Sequence, residues 1–217
     1  MMKSAAGKSP ATLNPFVFAD LLRKNLRLWY WTRYLKAQGV TVGSNVSLKG
    51  KPRIERFTGR IVLGDNVTLR SHDYGYHSAL YGPTRLMTDT HPDALIEIGD
   101  NSRINGACIH ATKRISIGRN CLIAANVCIL DSDGHGLAPD ERHLVNPVCL
   151  PVTIEENVWI GINAIILKGV TVGRNSVVAS GSVVVKDVPA NCVVAGNPAR
   201  VVKQFELPGE KGGGGSP

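Results

Sequence analysis

The sequence predicts an all-β chain wound as a parallel β-helix. Three observations carry that reading: an aliphatic residue that recurs every six positions, a small or β-branched residue at a fixed offset from it, and glycine or asparagine between. The clearest run passes from Ile154 through Ile160, Ile166, Val172, Val178 and Val184 to Ala190. Four positions after the first six of these stand Val158, Ala164, Val170, Ser176, Ser182 and Val188. The same frame recurs upstream at Ile98 and Ile104, and at Ile117, Ile123 and Ile129. Val42 and Leu63, each followed by glycine, begin earlier copies.

A period of six is wrong for an amphipathic helix. It suits a chain that makes a short strand, turns about a third of a circle and repeats, so that three hexads close one coil and the coils stack. The aliphatic residue then points inward, and the small residue lets the corner close. Asparagine and glycine tolerate the left-handed backbone such corners need. With 43% hydrophobic but only 6% aromatic residues, the composition favours strands and turns around one core.

Taken in order, residues 1–39 form an N-terminal segment with a helix expected over 12–38. Asn14 is placed to cap it, Pro15 fits its first turn, and apolar residues run from Phe16 to Leu35. Its Arg23, Lys24, Arg27, Arg33 and Lys36 allow weak membrane-surface association, but covering the open end of a solenoid is the favoured role. Residues 40–203 form the β-helix, interrupted by a His-, Tyr- and Gly-rich loop at 70–94 and a second insertion at 136–151. Residues 204–217, ending Gly-Gly-Gly-Gly-Ser-Pro, read as a flexible tail.

The net charge of +8 points to anionic ligands, nucleic acid or a membrane surface. Nothing resembles a nucleic-acid-binding module. Five cysteines without a CxxC spacing argue against a disulfide framework or structural zinc site and read as small buried thiols. With no signal peptide and no long apolar run, a cytoplasmic protein is expected, at most peripheral to a membrane.

His135 stands six residues after Ile129, in a slot the repeat reserves for inward aliphatics, where the second insertion leaves the coil. It is either a buried structural histidine or a catalytic one. Asp131 and Asp133 are near enough in sequence to orient it, although solvated turn residues are the favoured reading. Asn105 is a plain corner residue or a site residue. Trp159 precedes an inward Ile, so alternation turns it outward, as an interface anchor or a wall of an active site.

The run Asp133-Gly134-His135-Gly136-Leu137-Ala138-Pro139-Asp140-Glu141-Arg142 resembles the catalytic-histidine segment of maltose and galactoside O-acetyltransferases. Asn157-Val158-Trp159-Ile160-Gly161 and Gly196-Asn197-Pro198-Ala199-Arg200 resemble the same hexapeptide-repeat acyltransferase superfamily, and the resemblance covers residues 96–203. The 70–94 loop looks more like the bacterial branch that acetylates surface polysaccharides. The resemblance, not the periodicity, implies left-handed winding. It also implies a homotrimer with acetyl-CoA between neighbouring β-helices. By the same resemblance Asn105 matches an acceptor-site asparagine. Trp159, Gly161, Ser180, Lys186, Arg200 and Lys203 are expected to meet the co-substrate, the three cations through its phosphates or else as a solvated face.

The expected chemistry is direct acetyl transfer to a sugar hydroxyl with His135 as general base, without a metal or a covalent cysteine. Three rival readings are an acetyltransferase acting on an amine or antibiotic, a zinc enzyme of the γ-carbonic-anhydrase type, and a catalytically dead scaffold or assembly subunit of the same fold, against which His135 and the basic positions matched to CoA argue. The second needs three histidine ligands; His72 and His77 supply the spacing of a pair, but no histidine precedes them.

Overall fold

The structure, a computed structural model, describes residues 15–206. Asn14 and the last part of the 204–217 tail, two of the features singled out in the sequence, lie outside the described residues. The chain winds as a left-handed β-helix with three parallel sheets as its walls. The first sheet runs from Thr41–Val42 to Thr171–Val172, the second from Ser47–Lys49 to Cys192–Gly196, and the third from Arg53–Arg56 to Val183–Val184.

The inward residues stack in register along the axis. Leu63, Ile98, Ile117, Ile154 and Val172 form one column; Leu48, Leu69, Ile104, Ile123, Ile160, Val178 and Val194 form the second. Ile54, Leu86, Ile109, Ile129, Ile166 and Val184 form the third. Nearly all are fully buried. Each such aliphatic contributes about 1.5–3 kcal/mol of hydrophobic burial, which is why one residue in six suffices to specify the winding.

Asparagine turns the corners. Among the described residues, ten asparagines have positive φ. Along one edge they also bond to each other, Asn157 to Asn175 at 2.9 Å and Asn175 to Asn191 at 2.7 Å. The side-chain amide thus supplies both the left-handed conformation and an axial ladder.

Ala190 departs from the expected frame. Val188 bridges Val172 instead, and Val194 follows opposite Val178, so the last coil is shortened by two residues and Ala190 is not a core residue. Ala199–Gln204 then turns back antiparallel on Cys192–Gly196 and finishes the second sheet.

The helix Pro15–Ala37 lies at the opposite end. Leu35 is fully buried, Trp31 and Tyr34 pack on the core, and the Tyr34 hydroxyl donates to the Pro52 carbonyl at 3.2 Å. Among the described residues no helix is long and apolar enough to cross a membrane.

The interruptions also differ from expectation. Within 70–94, Arg85–Thr88 is a regular strand of the third sheet, and Arg70 ends a strand of the second. The insertion is therefore 71–84, which Asn126 pins by accepting from the Tyr81 N–H at 2.9 Å and donating to the Ala79 carbonyl at 3.2 Å. The second insertion begins after Cys128–Leu130 and ends before Val152–Ile154, so it includes His135 itself.

Candidate functional site

The outward face of the second sheet carries one set of candidate residues. Alternation sends Ile104, Ile123, Ile160 and Val178 inward, and leaves Arg103, Leu122, Trp159 and Val177 as a row in register outside. A second row, Lys49, Arg70 and Asn105, follows the inward residues Leu48, Leu69 and Ile104. All of these except Val177 border a cavity of about 560 Å³, partly roofed by Tyr76 and His77 of the first insertion.

Of the residues marked in the sequence, this cavity gathers Asn105, Trp159, Gly161 and Ser180. Asn105 Nδ2 donates to the Ile123 carbonyl at 2.8 Å, which fixes its amide. Trp159 is 52% exposed, as alternation predicts. Gly161 is required by the close approach of the next coil: a Cβ there would lie 2.6 Å from the Ser180 backbone nitrogen.

Sequence reading missed Lys49, Arg70, Arg103 and Tyr76, and weighed His77 only as half of a zinc-ligand pair with His72. A signal existed for the first three: Arg103 precedes an inward aliphatic just as Trp159 does, and Lys49 and Arg70 follow one just as Asn105 does. The roofing residues had no such signal, because no repeat governs an insertion.

His135 lies elsewhere. It is exposed, not in an inward slot, and sits on the insertion that leaves the corner between the third and first sheets. Its backbone bridges Val145, and its Nδ1 lies 3.0 Å from the Arg142 carbonyl oxygen. A carbonyl only accepts, so in the neutral ring Nδ1 carries the proton and the lone pair is on Nε2. His135 does not line the cavity that holds Asn105.

Neither nearby carboxylate orients the imidazole. Asp131 is not a solvated turn residue but is 0% exposed, accepting backbone N–H bonds from Thr112 at 2.7 Å, Lys113 at 2.6 Å and Arg114 at 2.7 Å. Asp133 pairs with Lys168 at 2.5 Å. The insertion itself exposes Leu137, Leu144, Val145, Val148 and Leu150.

Lys186, Arg200 and Lys203 are exposed near the C-terminal end, and none lines the cavity. Arg200 Nη1 donates to the neighbouring Ala199 carbonyl at 2.9 Å, and Lys203 Nζ stands 5.7 Å from the Phe205 ring centroid.

Cys121 and Cys192 are buried, whereas Cys108, Cys128 and Cys149 are only partly so, contrary to the uniform burial expected. Cys108 and Cys128 face each other across neighbouring strands. Hydrogen bonding with Cys128, aided by the Arg85 charge, holds the Cys108 thiol well below its usual range; the same hydrogen bond and then burial push Cys128 up. Among the described residues, no three His, Cys, Asp or Glu side chains converge as metal ligands.

The bacterial transferase hexapeptide model of six repeats matches residues 151–186, and the hexapeptide repeat of succinyl-transferase matches residues 96–131. Both matches are to hexapeptide-repeat models, and both fall on the coils of the β-helix. The chain is 46% identical over 91 residues to the galactoside O-acetyltransferase of Escherichia coli, which is 42% of this chain and 44% of that one. The chain spans about half the length of the curated relatives it matches.

Solved structures extend the likeness. A hexapeptide-repeat acetyltransferase of Vibrio cholerae is 26% identical with a TM-score of 0.58, covering 86% of both chains; its complex with acetyl-CoA aligns at 0.56, covering 86% of this chain and 83% of that one. A polySia-specific acetyltransferase is 25% identical with a TM-score of 0.51, covering 80% of this chain and 90% of that one.

Proposed function

We propose that this chain is an acetyl-CoA-dependent O-acetyltransferase that modifies a sugar hydroxyl, in the biosynthesis of a surface polysaccharide or lipopolysaccharide. The observation that carries the reading is the 3.0 Å contact between His135 Nδ1 and the Arg142 carbonyl: the carbonyl can only accept, so the neutral imidazole places its proton on Nδ1 and leaves the Nε2 lone pair free to accept one. The likeness to a structure complexed with acetyl-CoA supports the co-substrate, and the likeness to galactoside- and polySia-acetylating proteins supports the sugar.

In this mechanism the sugar oxygen attacks the thioester carbonyl carbon as His135 Nε2 takes its proton. A C–O bond forms, the tetrahedral oxyanion is held by backbone N–H groups at a coil corner, and the C–S bond then breaks. The departing thiolate takes the proton back from His135. No cysteine or metal takes part in a step.

The active unit is a homotrimer. His135 and the Asn105 cavity belong to different corners of one chain, so a complete site needs the insertion of one subunit laid against the second sheet of its neighbour. The exposed aliphatics of the insertion and the exposed Leu122 and Trp159 on that sheet are matching apolar surfaces for such a contact. The enzyme works in the cytoplasm, with the basic N-terminal helix available to a membrane surface.

The test is thiol release from acetyl-CoA against a panel of oligosaccharides and nucleotide sugars, with mass spectrometry of the product. An ester on a sugar hydroxyl is expected; acetylation confined to amines would overturn the reading.

A further inference from the structure

We infer that the acceptor is negatively charged, and that Lys49, Arg70 and Arg103 hold its carboxylate or phosphate groups in the cavity beside Asn105. The inference rests on the proposed function and names its acceptor class.

Arg70 is the strongest reason. Its residue is only 9% exposed, yet among the described residues no carboxylate lies within salt-bridge distance of it. One guanidinium nitrogen donates to the Tyr74 carbonyl at 3.0 Å, and the group stands 5.0 Å from the Tyr76 ring centroid. A guanidinium has five N–H donors, and burying one without an anion is costly. Arg70 borders the cavity, so an anion there recovers that cost.

The neighbours strengthen the argument. Lys49 and Arg103 border the same cavity and also lack a carboxylate partner among the described residues, and the cavity lining contains no Asp or Glu. The Lys49 ammonium is pushed below its usual range by burial first, then by the charges of Arg70, Arg103 and Arg27. An ordinary solvated face looks different: on the first-sheet side, Arg114 pairs with Glu97 at 2.9 Å and Arg119 with Glu156 at 2.6 Å. A neutral sugar gives no return for three repelling cations, whereas an anion relieves the repulsion. Lys49 and Arg70 also line an adjoining cavity with Arg27 and His72, so the basic surface continues toward the N-terminal helix. That extent suits an acceptor longer than one sugar unit.

The test is calorimetry on the full chain at low salt with three probes: tetragalacturonate for carboxylate, UDP-N-acetylglucosamine for phosphate, and maltotetraose as the neutral control. At least one anionic probe should bind more tightly than maltotetraose, and which one does distinguishes the two anion sources. Lys49→Gln and Arg103→Gln should each weaken that binding about tenfold, and added salt should weaken it further. Both residues are exposed, so these variants test the site even if Arg70→Gln does not fold. Failure of both anionic probes to exceed maltotetraose would overturn the inference. So would binding unchanged in both variants, or binding abolished by CoA in competition, since the cations would then serve the co-substrate phosphates. Wild-type protein that binds an anionic probe normally yet transfers no acetyl group to any sugar would show an error in the proposed chemistry and leave the anion site standing.

Discussion

The Nδ1 of His135 donates to the Arg142 carbonyl oxygen at 3.0 Å, an arrangement that lies wholly within one insertion. A backbone carbonyl here does what neither Asp131 nor Asp133 does. His135→Ala should therefore lower kcat by about a hundredfold or more, with CoA binding by calorimetry near wild type. Turnover close to normal would remove His135 from the chemistry.

Asn105 and His135 stand at different corners of one chain, and the proposed trimer brings them together from neighbouring subunits. Trimers of His135→Ala alone or of Asn105→Ala alone should be nearly inactive. After denaturation and refolding of a 1:1 mixture, about three-quarters of the trimers are mixed and each has one intact site in three. Activity should then recover to about a quarter of wild type, with light scattering confirming trimers. Mixed trimers that stay inactive would show that the two residues do not act from neighbouring subunits.

Lys186 and Arg200 are exposed near the C-terminal end, away from the cavity cations. If they meet the phosphates of acetyl-CoA, alanine at either position should raise KM for acetyl-CoA several-fold, leave kcat nearly unchanged and reduce the salt dependence of KM. Unchanged KM at low salt would identify them as solvated surface charges.

Asp131 and Asp133 are two residues apart and should differ sharply in stability. Asp131→Ala leaves three backbone N–H groups without their buried acceptor and should cost about 3 kcal/mol. Asp133→Ala breaks a partly exposed pair with Lys168 and should cost about 1 kcal/mol or less. Urea denaturation curves measure both; equal losses would contradict the structural role assigned to Asp131.

Much of the site was legible because the repeat converts position into direction. Trp159 precedes an inward Ile, so its outward aim followed from alternation, and the structure places it on the cavity wall. The same rule, applied to Arg103, Lys49 and Arg70, would have marked the basic end of that cavity. The rule failed at its own limits. His135 falls six residues after Ile129, but the coil has already ended at Leu130, and Asp131 is buried in the corner as an acceptor for three N–H groups. Ala190 falls on the period, but a coil shortened by two residues gives its place to Val188.

The sequence by itself determined the hexad winding without its hand, the inward column from Leu63 to Val172, the inward Ile129, Ile166 and Val184 of the third sheet, and the asparagine corners, because each is a local preference repeated until it dominates the free energy. The tertiary structure alone decided that Arg70 lies buried without a carboxylate, that Lys49, Arg70 and Arg103 share a wall with Asn105, and that His135 takes its orientation from Arg142. These depend on how insertions fold across coils and on which side chains distant strands bring together, and no short-range pattern encodes either.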